Sequence, residues 1–352
     1  MSQYKPLTTQ EYDTLHQSLA RLLSTRTVPV VIPGEAILGI EAIAAGIAAP
    51  GRTILNVVTG PYGTLFGKWL ARGGAVVVEV ESSFDDVITV EAVAEAIEKV
   101  KPSALSFVHA ESVTGGTNPA RRILELARKS NLITIIDSVS AIGAEPVLMD
   151  EWGIDFVTIG AQKGLAGPNG ISAVGISDRG WDFLEQNPNA PRNSILSLLD
   201  LKSPEEGSNP PRIPANIPAL EARALLEALE QIEQEGLPNV NKRHSLASSA
   251  TIAGLKALGL EPWQSHEASY SPLVTTVRLP EDGRLQVERP IGSVAPGDGA
   301  MEGKLLRINH FGANAKRGSV EQAIKTLAEL LGQEPAQALA AVGEAWGHDH
   351  DH

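Results

Sequence analysis

The sequence predicts an α/β protein whose larger part is built on a mostly parallel sheet, followed by a smaller α+β unit. Short runs of β-type residues recur between Thr53 and Ile176, and they are apolar throughout rather than alternating. That is the pattern of strands covered on both faces. Helical periodicity fills several of the gaps between them. Beyond Gly236 the order changes to helix, strand, glycine- and proline-rich loop, strand and helix.

In chain order the runs are Thr53–Val58, Ala75–Val80, Ala104–Val108, Ile133–Ile136, Phe156–Ile159 and Ala173–Ile176. Leu38–Ala48 reads as a helix entered from the loop Pro33–Ile37. Thr89–Lys101 places Val90, Val93, Ala94 and Ile97 on one helical face. Pro119–Lys129 reads as a further helix, with Asn118 as its N-cap and Pro119 in the first helical position. Pro204–Pro218 is rich in Pro, Gly and Asn and is expected to be irregular. An amphipathic helix, Ala219–Glu235, then stops at Gly236. Ser245–Leu258 is helical, Leu273–Leu279 strand-like, Pro290–Gly303 a loop, Leu305–Asn309 a strand and Val320–Leu331 a helix. A chain of 352 residues exceeds one ordinary core. The expected units are a large α/β domain over residues 1–235, a small α+β domain over 236–345, and a His/Asp-rich tail without fixed structure over 346–352.

Composition removes whole classes of chemistry. The chain has no cysteine, which excludes disulfides, thiolate zinc sites, iron–sulfur clusters and cysteine nucleophiles. A net charge of −13 is wrong for a general nucleic-acid binder, which must neutralise phosphates. The longest apolar stretch, Ile37–Ala49, is interrupted by Glu41 and is too short to span a bilayer. The start, MSQYKPLTTQ, lacks a basic-then-apolar leader pattern. A cytoplasmic protein with no membrane or nucleic-acid partner is expected. His109, His244, His266 and His310 share no ligand spacing, and no metal is assigned to them or to the tail.

In an open α/β sheet, ligands bind beyond the carboxyl ends of the strands. Glu111 and Ser112 follow Ala104–Val108, Asp137 follows Ile133–Ile136, and Gln162 and Lys163 follow Phe156–Ile159. The segment GAQKGLAGPNG around Lys163 is glycine-rich, so its backbone can approach a ligand closely. A carboxylate and a lysine at two such strand ends suit a pyridoxal ring. The carboxylate faces the cationic ring nitrogen, and the lysine reaches the aldehyde carbon. The lysine must be partly desolvated for its neutral amine to be available. Read singly, the same residues are a surface lysine and a helix-capping aspartate. Tyr62, Ser112 and Arg307 are then a turn aromatic, a loop serine and a solvated strand-end arginine.

The segments HAESVTGGTNP, IIDSVSAIGAEPVLMDEWGIDFVTIGAQKGLAGP and LLRINHFGANA resemble class V aminotransferases of fold type I. Within that family, VIPGEAILGIEAIAA, LNVVTGPYG and NPNAPRNSILSLLD are similar to the pyridoxamine–pyruvate transaminases. The resemblance spans roughly Pro29 to Gly332. It implies that Lys163 is the Schiff-base lysine and carries the proton of the 1,3-shift. Asp137 holds the pyridine nitrogen, Val139 and Tyr62 pack on the two ring faces, and Ser112 bonds the phenolic oxygen. Gln162 lies beside the cofactor's side arm, and Arg307 clamps a substrate carboxylate, where a guanidinium fork fits two oxygens. His109 and His310 fall inside the same motifs. The resemblance further implies a homodimer, with a small-molecule amine and a 2-oxo acid as substrates.

Glu35 bears on the form of the cofactor. The loop Pro33–Ile37 offers no Ser or Thr and presents a carboxylate where a phosphate would sit on a helix N-terminus. A like-charge pair about 4 Å apart costs roughly 4 kcal/mol at an effective dielectric of about 20. A Glu35 that points inward therefore disfavours phosphate and can accept a hydrogen bond from a free hydroxymethyl group, as the resemblance also implies. The expected reaction is pyridoxamine plus pyruvate giving pyridoxal plus L-alanine, with pyridoxal and pyridoxamine as substrates. The alternative is a pyridoxal-phosphate-dependent aminotransferase of the alanine– or serine–glyoxylate kind, or a lyase acting on a small amino acid, with Glu35 turned away. The chain also departs from the resemblance at Asp298, which stands nine residues before Arg307, where the pyridoxamine–pyruvate enzymes carry a second arginine. A carboxylate there would repel a second carboxylate and favour an amine-bearing or neutral substrate; the alternative is that the Gly/Pro loop is shifted and Asp298 faces water.

Overall fold

A computed structural model describes residues 5–202 and 216–347. Its strands are β1 (Val30–Ile32), β2 (Thr53–Val58), β3 (Val76–Glu81), β4 (Ala104–Val108), β5 (Ala110–Glu111), β6 (Gly116–Thr117), β7 (Ile133–Asp137), β8 (Phe156–Gly160), β9 (Ser172–Ile176), β10 (Thr275–Arg278), β11 (Val294–Pro296) and β12 (Leu305–Ile308). Its helices are α1 (Thr9–Leu22), α2 (Ala36–Ile47), α3 (Pro61–Arg72), α4 (Val90–Val100), α5 (Ala120–Lys129), α6 (Met149–Trp152), α7 (Asp178–Glu185), α8 (Leu198–Leu201), α9 (Ala219–Glu235), α10 (Leu237–Ala257), α11 (Arg317–Leu330) and α12 (Ala336–Trp346).

The central sheet has the order β1-β9-β8-β7-β4-β2-β3. Strands β3, β2, β4, β7 and β8 pair in parallel, and β9 runs antiparallel to both its neighbours. Alternate residues feed opposite cores, as the two-residue period of a strand requires. Leu55, Val57, Leu105, Phe107 and Ile136 join α1, α4, α5 and α9 on one face. Ile54, Ala104, Ile133, Ile135 and Phe156 join α2, α3, α7 and α8 on the other. Strand β3 is the exception among the apolar runs: it forms the sheet edge, and its Val76 is 55% exposed. Glu79 and Glu81 interrupt its apolar run, as charges do on strands that must not recruit another chain.

Beyond Gly236, β10, β12 and β11 form an antiparallel sheet in that order. It packs with α10, α11 and α12 in a third core that includes Leu255, Val277, Leu306, Ile324 and Val342. Residues 204–215 of the stretch expected to be irregular, and the tail 348–352, lie outside the described residues. Among the described residues, no helix is long and apolar enough to cross a membrane.

Several element boundaries differ from the sequence expectation, each for a local reason. Helix α2 begins at Ala36 rather than Leu38, because the Glu35 side chain accepts the Ile37 N–H and caps the first turn. Asn118 does not cap α5; Pro119 does, with no side-chain bond. The Asn118 amide is buried instead, accepting from Ile88 N and donating to Thr59 Oγ1 and Val108 O. Helix α10 starts at Leu237, well before Ser245, because Pro238 fits a first turn that needs no N–H. Strand β11 lies within the loop expected at Pro290–Gly303.

Candidate active site

The parallel neighbours β4, β7 and β8 end on one side of the sheet. They deliver His109–Ser112, Asp137–Ser140 and Ala161–Lys163 to one place. The chain leaving β2 turns into α3 there and brings Tyr62, and the start of α2 brings Glu35. Glu35, Tyr62, Asp137, Val139, Ser140 and Lys163 line a common cavity.

Lys163 Nζ donates to Ser112 Oγ at 2.9 Å and to Ser140 Oγ at 2.7 Å. Desolvation pushes its pKa below the usual lysine value, against the opposing charges of Asp137, Glu35 and Glu111, and Arg307 lowers it further. Its amine is thus held by neutral hydroxyls. Asp137 accepts the Val139 N–H at 3.0 Å. Burial pushes its carboxyl up to about 6, while the Val139 bond and the charge of Lys163 pull down. No cation hydrogen-bonds to it among the described residues. A protonated ring nitrogen would supply the missing partner, so the donor set fits a pyridoxal-type group, with Tyr62 and Val139 as cavity walls. Lys163 Nζ stands 5.8 Å from the centroid of the Tyr62 ring.

Glu35 combines the two roles the sequence left open. Its Oε2 accepts from Ile37 N at 3.1 Å, and its Oε1 accepts from Gln162 Nε2 at 2.7 Å. It caps α2 and lines the cavity at the same time. Gln162 thereby lies beside Glu35, with its own Oε1 buried and unpartnered.

Ser140 and Glu111 carry roles that the strand-end reading missed. Ser140 belongs to the turn after β7, and its signal was its spacing of three from Asp137 in DSVS. Glu111 Oε1 accepts from Gly63 N at 3.1 Å and so caps the helix that carries Tyr62. Burial pushes this carboxyl up to about 7, and Asp137 adds to the rise. Gly60 is needed for this arrangement, because a Cβ there would collide with the Glu111 carboxyl. His109 and His310 do not line the cavity. His109 Nδ1 pairs with Ser138 Oγ, and His310 Nε2 with Thr275 Oγ1. Burial pushes their pKa values down to about 4 and about 3, so both rings are neutral.

Arg307 stands on β12 with Nη2 2.7 Å from Asp298 Oδ2. Just beyond it, the loop after β12 buttresses the lysine loop. Gly312 has φ +59, and a Cβ there would lie 2.7 Å from Lys163 O. Gly312 N donates to His244 Nε2 at 3.0 Å, and Arg243 Nη1 donates to Gly312 O at 2.6 Å. Gly312→Ala is therefore expected to destabilise the fold by about 1–3 kcal/mol, combining left-handed strain with a backbone clash. Chemical denaturation measures that loss, and a variant as stable as the parent removes the buttress from this account.

The aminotransferase class-V family profile matches residues 1–281. Pyridoxamine–pyruvate transaminase of Mesorhizobium japonicum is 32% identical over 321 residues, covering 89% of this chain and 81% of that protein. The solved structure of pyridoxamine–pyruvate aminotransferase from Mesorhizobium loti matches with a TM-score of 0.86 at 28% identity, covering 97% of this chain and 91% of that one. Ureidoglycine–glyoxylate aminotransferase from Bacillus subtilis matches with a TM-score of 0.88 at 28% identity, covering 98% of this chain and 91% of that one. The extent of these matches, on a sheet that presents lysine and carboxylate at neighbouring strand ends, places the chain in the class V aminotransferases, with the fold type I architecture.

Proposed function

We propose that this aminotransferase works on the free B6 vitamer, moving the amino group of pyridoxamine to pyruvate to give pyridoxal and L-alanine. The observation that carries the reading is the Glu35 carboxylate at the N-terminus of α2. A phosphate-binding helix start turns its free amides to the dianion. Here the anion is already part of the chain, bonded to Ile37 N and Gln162 Nε2. A phosphate would meet it as a like charge, at roughly 4 kcal/mol per pair about 4 Å apart at an effective dielectric of about 20. A hydroxymethyl group can instead donate to it. The Mesorhizobium japonicum relative, named for this reaction, supports the same choice.

Asp137 would hold the ring nitrogen, Tyr62 and Val139 the ring faces, and Ser112 the phenolic oxygen. The bound ring supplies the electron sink that lets a neighbouring carbon give up its proton. Lys163 Nζ is the group that takes that proton and returns it, because desolvation lowers its pKa and so favours the neutral amine. The hydroxyls of Ser112 and Ser140 hold Nζ in place. Arg307 would receive the carboxylate of the 2-oxo acid. A homodimer belongs to the same reading and is checked by sedimentation.

Intact mass after borohydride reduction tests the vitamer. Pyridoxal at low concentration is expected to label Lys163, and pyridoxal phosphate to label it weakly. Glu35→Gln should shift the ratio toward the phosphate by about 10³-fold. Labelling of the parent chiefly by the phosphate would replace this reading with a phosphate-dependent aminotransferase of a small amino acid.

A further inference from the structure

The arginine that would receive the substrate carboxylate already has a carboxylate. Arg307 Nη2 is 2.7 Å from Asp298 Oδ2, with Arg307 18% and Asp298 61% exposed at their side chains. The guanidinium thus lies under the aspartate, which stands at the solvent side. Its Nε is buried and finds no hydrogen-bond partner among the described residues. Asp298 is also held in place. It precedes the single turn Gly299–Met301, and Met301 forms a buried cluster with Val113 and Leu305, against which Tyr62, Phe84 and Trp263 pack. The turn is therefore fastened to the cluster that also holds Tyr62, and the charges of this pair act on cavity residues: that of Asp298 on Tyr62, and that of Arg307 on Lys163.

This pairing alters what Arg307 can recognise. A guanidinium has five donors in a planar fork, so a second carboxylate can join at the donors Asp298 leaves open. It then sits beside Asp298, on a cation whose charge is already matched. If it displaces Asp298 instead, the freed aspartate still faces the bound acid from the fastened turn. Either way the substrate lies next to a fixed negative charge. An acid with a second carboxylate is repelled. An acid that ends in an ammonium or another N–H donor gives Asp298 a partner and leaves the fork to its own carboxylate.

We propose that Asp298 is a specificity-determining residue that filters substrates by side-chain charge at Arg307, rejecting dicarboxylic acids and preferring small acids that carry a cationic or N–H-bearing group beyond the carboxylate that Arg307 takes. Small neutral acids such as pyruvate and alanine fall between these extremes. The inference rests on the reading of Arg307 as the substrate-carboxylate clamp.

The test is a panel of L-2,4-diaminobutyrate, L-alanine and L-aspartate as amino donors, run once with pyridoxal and once with pyridoxal phosphate. The choice of vitamer tests the reading of Glu35, and the ranking of side-chain charge within either column tests Asp298. The parent is expected to rank diaminobutyrate at or above alanine, and aspartate far below. Asp298→Asn should compress the span between diaminobutyrate and aspartate in kcat/KM by about tenfold or more. Asp298→Glu should retain it. Should neither vitamer support turnover, calorimetric titration of parent and Asp298→Asn with 4-aminobutyrate, propionate and succinate reads the same ranking without chemistry. An unchanged ranking in Asp298→Asn overturns the proposal in either format.

Discussion

Lys163→Ala is expected to lower turnover by about 10³-fold or more, the largest effect of any single change in this chain. In the proposed reaction two functions would disappear together: the amine that bonds to the cofactor, and the base that moves the proton. Among the described residues, no other basic group lines the cavity to replace it. A guanidinium offers donors and no acceptor, and the His109 and His310 rings are buried outside the cavity lining. Single-turnover absorbance with pyridoxamine and pyruvate measures the loss, and reduction with borohydride should leave the variant unlabelled. Ordinary turnover by Lys163→Ala would show that the proton moves elsewhere. The stability of this variant should match or exceed that of the parent, because the change removes a desolvated amine held only by two hydroxyls.

Asp137→Asn is expected to cost about 10²–10³-fold in turnover. The carboxylate is the charge that a cationic ring nitrogen would face, and an amide of the same shape cannot balance it. The pH dependence separates this role from simple packing. Burial raises the Asp137 carboxyl to about 6 while no cation is hydrogen-bonded to it. Only the ionised form attracts the protonated ring, so affinity for pyridoxamine should fall as the pH drops through about 6. Glu111, raised to about 7, titrates nearby. The two carboxyls share one region, so the comparison must be between parent and variant. The acid limb near 6 should vanish in Asp137→Asn, whereas a limb owed to Glu111 alone would persist. Binding titrations across pH 5–8 decide between them.

What the sequence makes legible depends on the range of the forces involved. Lys163 and Asp137 could be placed in one crevice because continuous apolar runs mark parallel strands, and parallel strands end on the same side. The period of the sheet then brings those ends together whatever the loops between them do. Glu35 was legible as a helix-start carboxylate, but its direction was not. A capping carboxylate can face water or protein with the same local backbone, and the choice here follows from Gln162, which lies 127 positions away and donates to it.

The sequence by itself determined the α/β plan, the lysine–carboxylate pair at the strand ends and the absence of cysteine chemistry, because each follows from local composition and short-range periodicity. Only the tertiary structure decided that Glu111 caps the helix carrying Tyr62, that Ser140 shares the lysine with Ser112, that Asn118 ties two loops rather than capping α5, and that Asp298 sits on Arg307. These are contacts between segments brought together by packing. A side chain in a loop carries no local signal of which distant donor or charge will meet it.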